Sequence, residues 1–165
     1  MTEKATQVAE RCGMSAAELR LIYKPDDEWL GELTAIVRCG AFSGQSSAWF
    51  DRESLKKAFV SGLRNFPLAS ANPPTIEGGF WGKGNPASLD QLHVRVVIKP
   101  YDIRGTLLVH VDLASPSWKT PDIDQQNAAT IRFLTEYAVI GTFAEELERV
   151  LDGATEQAVL NGIVN

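Results

Sequence analysis

The chain is poor in the residues that make covalent or metal-held scaffolds. Its 165 residues include only two cysteines and two histidines. Two cysteines cannot supply a disulfide framework. Cys39 ends an apolar alternation and reads as a small packed hydrophobe, whereas Cys12 lies in a polar amino-terminal stretch. Long apolar runs are missing too. Nothing approaches the ~20 residues of a membrane helix, and the opening MTEKATQVAERCGM has no apolar stretch of a secretory leader. These absences point to a reduced, cytoplasmic protein with no membrane association. A basic excess is also lacking. The net charge of −5 argues against a nucleic-acid partner.

The composition that remains is that of an ordinary globular protein, 44% hydrophobic and 22% charged. The length suits one domain, expected over residues 16–153, with an amino-terminal tail over 1–15 and a carboxy-terminal tail over 154–165. The acids are unevenly placed. Residues 121–165 carry eight acids against two bases, a balance of −6.

The clearest structural signal is Leu92 to Leu113, LHVRVVIKPYDIRGTLLVHVDL. It alternates apolar and polar residues on both sides of a Tyr101-to-Gly105 turn, the pattern of an antiparallel hairpin. With the turn centred on Ile103-Arg104 or Arg104-Gly105, one face carries Leu92, Val94, Val96, Ile98, Leu107, Val109, Val111 and Leu113. The other face carries His93, Arg95, Val97, Lys99, Thr106, Leu108, His110 and Asp112. Further strands are predicted over 18–24, 30–38, 42–50, 75–81 and, from its β-branched and aromatic content, 127–137. Asp51 can cap a helix whose Leu55, Phe59 and Leu63 share one side and which Pro67 forbids from continuing. From Ala138 the period becomes helical. Ile140, Phe143, Ala144, Leu147 and Leu151 line one face, and Glu145 and Arg149 stand at i,i+4 on the other. Clustered strands with short connections predict an α+β fold: one antiparallel sheet of about six or seven strands with two helices packed against one face.

Residues able to do chemistry are few and scattered. In the hairpin registers above, His93 and His110 lie roughly 13–20 Å apart at ~3.3 Å per residue, too far to share a metal, and they read as surface or partly packed residues. Asp122-Ile123-Asp124 lacks the spacing of a calcium loop. Gly78-Gly79-Phe80-Trp81-Gly82-Lys83-Gly84 lacks the spacing of a phosphate loop and reads as a flexible turn beside a strand. No metal, cofactor or catalytic residue is assigned. Trp29, Trp49, Phe80, Trp81 and Trp118 could line a ligand groove or pack in the core, and Trp81 and Trp118 are the leading ligand-binding candidates.

Several segments together resemble bacterial WapI-type immunity proteins and their uncharacterised relatives. These are Ala48-Trp49-Phe50 before the helix of Leu55, Phe59 and Leu63, then Ile76-Glu77-Gly78, the hairpin turn at Arg104-Gly105, and Thr135-Glu136-Tyr137 leading into the helix of Phe143 and Leu147. The resemblance spans about residues 19–152, with Glu136 standing where the pattern has Asp. It implies a small cytoplasmic binding protein that neutralises a toxin domain, with no catalytic residues to carry over. On this reading the protein is a non-enzymatic protein-binding module, and its expected partner is a protein such as a basic toxin domain. Glu145, Glu148 and Asp152 on the last helix form an acidic contact area. The alternative is a small-ligand binder or enzyme working in an aromatic-lined groove.

Overall fold

The computed structural model describes residues 17–82, 87–117 and 125–163. Among the described residues, eight strands form two antiparallel sheets of four, accompanied by two helical segments. The first sheet contains β1 (Ala17–Pro25), β2 (Leu30–Cys39), β3 (Phe42–Asp51) and β8 (Ala158–Asn161), in the order β3-β2-β1-β8. The second contains β4 (Thr75–Trp81), β5 (Leu89–Pro100), β6 (Thr106–Ala114) and β7 (Ala128–Glu136), in chain order. The first helical segment, α1, joins Arg52–Ser54, Leu55–Val60 and Ser61–Leu63 end to end, its middle turn being π-helical. The second, α2, is Tyr137–Leu151.

The α+β class agrees with the sequence, but the expected single sheet is two sheets. The chain leaves the first at Asp51 and reaches the second only at Thr75, after α1 and the loop behind it. Hydrophobic alternation tells each strand which face is dry, yet it is silent about which sheet a strand joins. A second correction concerns the carboxy-terminal tail. Ala158 and Leu160 are fully buried, and their strand pairs with β1 through Leu19↔Leu160 and Leu21↔Ala158. Just beyond it, the Gly162 amide bonds to the Ala17 carbonyl and the Ile163 amide to the Leu134 carbonyl, so this segment ties the first sheet to β7. The expected amino-terminal tail lies outside the described residues.

The helices do not share one face of one sheet. α2 contacts β1 and β8 of the first sheet and β7 of the second, while α1 contacts α2 and β4. Inward residues of both sheets and both helices make one hydrophobic cluster. Asp51 caps α1 as expected, its side chain accepting from the Ser54 amide at 2.8 Å. The inward face of α2 carries Ile140, Phe143, Ala144, Leu147 and Leu151, all buried. Cys39 is half-buried against the cluster.

The β5–β6 hairpin pairs about Ile103-Arg104, with Val94↔Leu113 and Val96↔Val111. In its turn the Asp102 carboxylate accepts from the Thr106 and Arg104 amides, which holds its pKa below the usual range. Seven of the eight expected dry-face residues are buried. The exception is Leu92, which is half-buried while its neighbour His93 is 3% exposed. The cause is a β-bulge. Gly78 pairs with Val94 but Gly79 pairs with Leu92, leaving His93 as the extra residue. The backbone of β5 at Gln91 and His93 comes so close to Gly79 that a Cβ there would collide with it. Before Val94 the inside and outside of β5 are therefore exchanged.

Candidate functional site

The open edge of β3 is the most distinctive surface of the molecule. The β2–β3 hairpin turns through Gly40-Ala41, with Gly40 at φ 60°, and closes with the pair Cys39↔Phe42. In a two-residue hairpin the closing pair is hydrogen-bonded, and alternate pairs follow it. Phe42, Gly44, Ser46 and Ala48 thus spend their amides and carbonyls on β2. Ser43, Gln45, Ser47 and Trp49 direct theirs the other way, to an edge that no strand among the described residues covers. The Thr34 and Ser47 hydroxyls lie 2.8 Å apart across the sheet, as expected of the closer, non-hydrogen-bonded pairs.

β3 crosses the second sheet because its inward residues are small. A Cβ on Gly44 would stand 3.3 Å from Ala129 and Leu113 side-chain atoms. The Ser46 hydroxyl donates to the Ala114 carbonyl at 2.6 Å. At the far end the Phe50 ring lies over Gly78, where any Cβ would strike it. β3 is thereby held over the second sheet with its free edge beside two adjoining grooves. The first, of about 280 Å³, runs from Ser43 to Gln45 against the end of β6 and the start of β7. The second, of about 420 Å³, runs from Gln45 to Trp49 against Gly79, Phe80, His93 and Pro116, and Glu32 also lines it. Gln45 and Ser115 line both, so the two form one trough.

His93 is the buried titratable group of this trough. Its Nε2 lies 2.6 Å from Gln91 Oε1, and the same oxygen accepts from the Ser117 amide at 2.9 Å. A backbone amide can only donate, so that Gln91 atom is the oxygen, and His93 Nε2 carries a proton. Burial lowers the His93 pKa, which favours the neutral ring. Nδ1 is then a bare acceptor, and it has no hydrogen-bond partner among the described residues. The Phe80 ring stands edge-on to the imidazole at 4.5 Å.

The histidines were expected to share a polar face, but they point to opposite sides of the second sheet. His110 belongs to a connected polar ladder on the outward face. Its Nε2 donates to Asp112 at 3.0 Å, and Arg132 donates to its Nδ1 at 3.3 Å. Asp112 also accepts from Thr130 at 2.6 Å and lies 3.8 Å from Arg95, which pairs with Glu77 at 2.7 Å. Burial alone would raise the Asp112 pKa, but the bonds from Thr130 and His110 outweigh it and hold the group low. This ladder is internally satisfied.

Among the leading aromatic candidates, Trp81 is 46% exposed and does not line the trough. Trp118 and Asp122-Ile123-Asp124 lie outside the described residues. Among the described residues, the aromatics at the trough are Trp49 and Phe80. The signal that could have found His93 was the Gly78-Gly79 pair inside a strand, a mark of a bulge.

The acids of α2 are partly engaged. Glu148 pairs with Arg64, and Asp152 pairs with Lys56, so α1 supplies bases to two of the three. Glu145 is exposed and makes no ion pair with Arg149; it borders a cleft of about 480 Å³ between the end of α1 and the start of α2. Phe66, 80% exposed, stands edge-on to Tyr137 there. The described residues contain no helix long and apolar enough to cross a membrane. Compared with protein-family models, curated proteins and solved structures, the chain matches none.

Proposed function

We propose that the protein is a binding module that takes up an extended segment of a partner protein along the free edge of β3. The observation that carries this reading is the trough from Ser43 to Trp49, bordered by strand backbone directed away from β2. At ~3.3 Å per residue it is about 20 Å long, the length of an ordinary strand. An added strand gains affinity from backbone hydrogen bonds and selectivity from alternate side chains entering pockets.

The finer form of this proposal follows the resemblance to WapI-type immunity proteins, in which the partner is a toxin domain. The net charge of −5 favours a basic one. The α2 acids fit as a secondary contact, because Glu148 and Asp152 already face bases from α1.

The test uses Gln45→Pro. The Gln45 amide serves the free edge, so proline leaves the β2–β3 ladder intact and blocks strand addition. The variant should keep the wild-type melting temperature and lose at least tenfold in affinity for a toxin-type domain encoded beside the gene, titrated by calorimetry. Amide exchange of the complex should slow at residues 43–49. Equal affinity with no protection there would refute edge binding.

A further inference from the structure

We infer that the second groove of the trough is a selectivity site for an arginine side chain carried by the extended segment. This rests on the strand-addition reading and adds the chemistry of the ligand.

Three observations converge on a cation with several donors. Glu32 lines the groove beside Trp49, its partner across the β2–β3 pairing, and among the described residues no base lies within ion-pair distance of it. Its other cross-strand neighbour, Lys24, is exposed and makes no such contact. His93 is 3% exposed, and the Gln91–Ser117 arrangement fixes its proton on Nε2, leaving Nδ1 as an unpartnered acceptor among the described residues. Among the described residues no lysine or arginine lines the groove; the remaining polar side-chain groups there are the Gln45 amide, the Trp49 indole N–H and the Ser46, Ser47 and Ser115 hydroxyls.

This set of groups discriminates among ligands. An anion would meet a carboxylate and a lone pair. A purely apolar group would bury Nδ1 without a donor, which is costly. A guanidinium offers five planar donors and an apolar stem, and it stacks on aromatic faces such as those of Trp49 and Phe80. The proteins that fit are therefore those presenting an exposed extended segment with an arginine. The overall negative charge would speed their approach.

The probe is the peptide acetyl-Thr-Val-Arg-Val-Thr-amide, titrated into the full chain and followed by nuclear magnetic resonance at the Trp49 indole N–H and the His93 ring. Comparison peptides carry norleucine in place of arginine, or N-methyl groups on alternate backbone nitrogens. The arginine peptide should shift both reporters and bind about tenfold more tightly than the norleucine peptide. Glu32→Gln should erase most of that difference. Glu32 is half-exposed, so the variant is expected to fold, and its melting curve checks this. Equal binding of arginine and norleucine peptides, or an unchanged ratio in Glu32→Gln, would overturn the arginine site and leave edge binding standing. An N-methylated peptide binding as well as its parent would overturn edge binding itself. Unmoved Trp49 and His93 reporters at millimolar arginine peptide would sink both.

Discussion

Leu160→Ala tests whether the carboxy-terminal segment is an integral strand of the core. Leu160 has no exposed surface, pairs with Leu19 of β1 and belongs to a strand packed beneath α2. Leu→Ala at such a site removes the transfer free energy of the lost methyl and methylene groups and leaves a cavity, together about 2–5 kcal/mol. α2 and β1 are each held by other contacts and cannot close fully over the gap, so a loss of about 3 kcal/mol is expected. At roughly 2–4 °C per kcal/mol for a chain of this size, the melting temperature should fall by about 6–12 °C. Val159→Ala, one residue away but only half-buried, should cost about 1 kcal/mol or less. Both variants are measured by thermal and urea unfolding with the slope m checked for constancy. If Leu160→Ala costs under 0.5 kcal/mol, or costs no more than Val159→Ala, the segment is a tail and the pairing with β1 is wrong.

Two further outcomes follow from burial. Val96 is fully buried in the second sheet, and Val96→Asp should leave no cooperative unfolding transition, because an unpaired carboxylate there has neither water nor a partner; a wild-type melting curve would contradict the assigned face of β5. His93 has a folded pKa below its unfolded value, so the unfolded chain binds its proton first as pH falls. Its contribution is complete above about pH 6.5 and lost progressively as pH drops below that towards the lowered folded value. Between pH 6.5 and about 5 the stability of His93→Gln should therefore depend less on pH than that of wild type, and parallel curves would mean that His93 is not held neutral.

Much of the secondary structure was legible because its causes are local. The strand expected over 75–81 is Thr75–Trp81, and the strand expected over 127–137 is Ala128–Glu136. The acids chosen on α2 point outward as its period demands, but their pairing with Lys56 and Arg64 depends on a helix more than eighty residues away in the chain. Trp49 and Phe80 were visible as aromatics, but nothing nearby in sequence indicated that they would border one groove.

By itself, the sequence determined most of the faces: which residues of the 92–113 hairpin beyond Leu92 and of the two helices are dry, where Asp51 starts a helix, and that the hairpin turns between Tyr101 and Gly105. Those features depend on side-chain periodicity and turn chemistry within a few residues. Tertiary structure alone decided how the strands divide into two sheets, that Ala158–Asn161 completes the first of them, and that Gly79 drives a bulge which buries His93. It also decided that small residues at Gly44, Ser46 and Ala48 let β3 cross the second sheet with one edge open. Each of these depends on the close approach of segments distant in sequence, where the presence or absence of a single Cβ sets the distance between backbones.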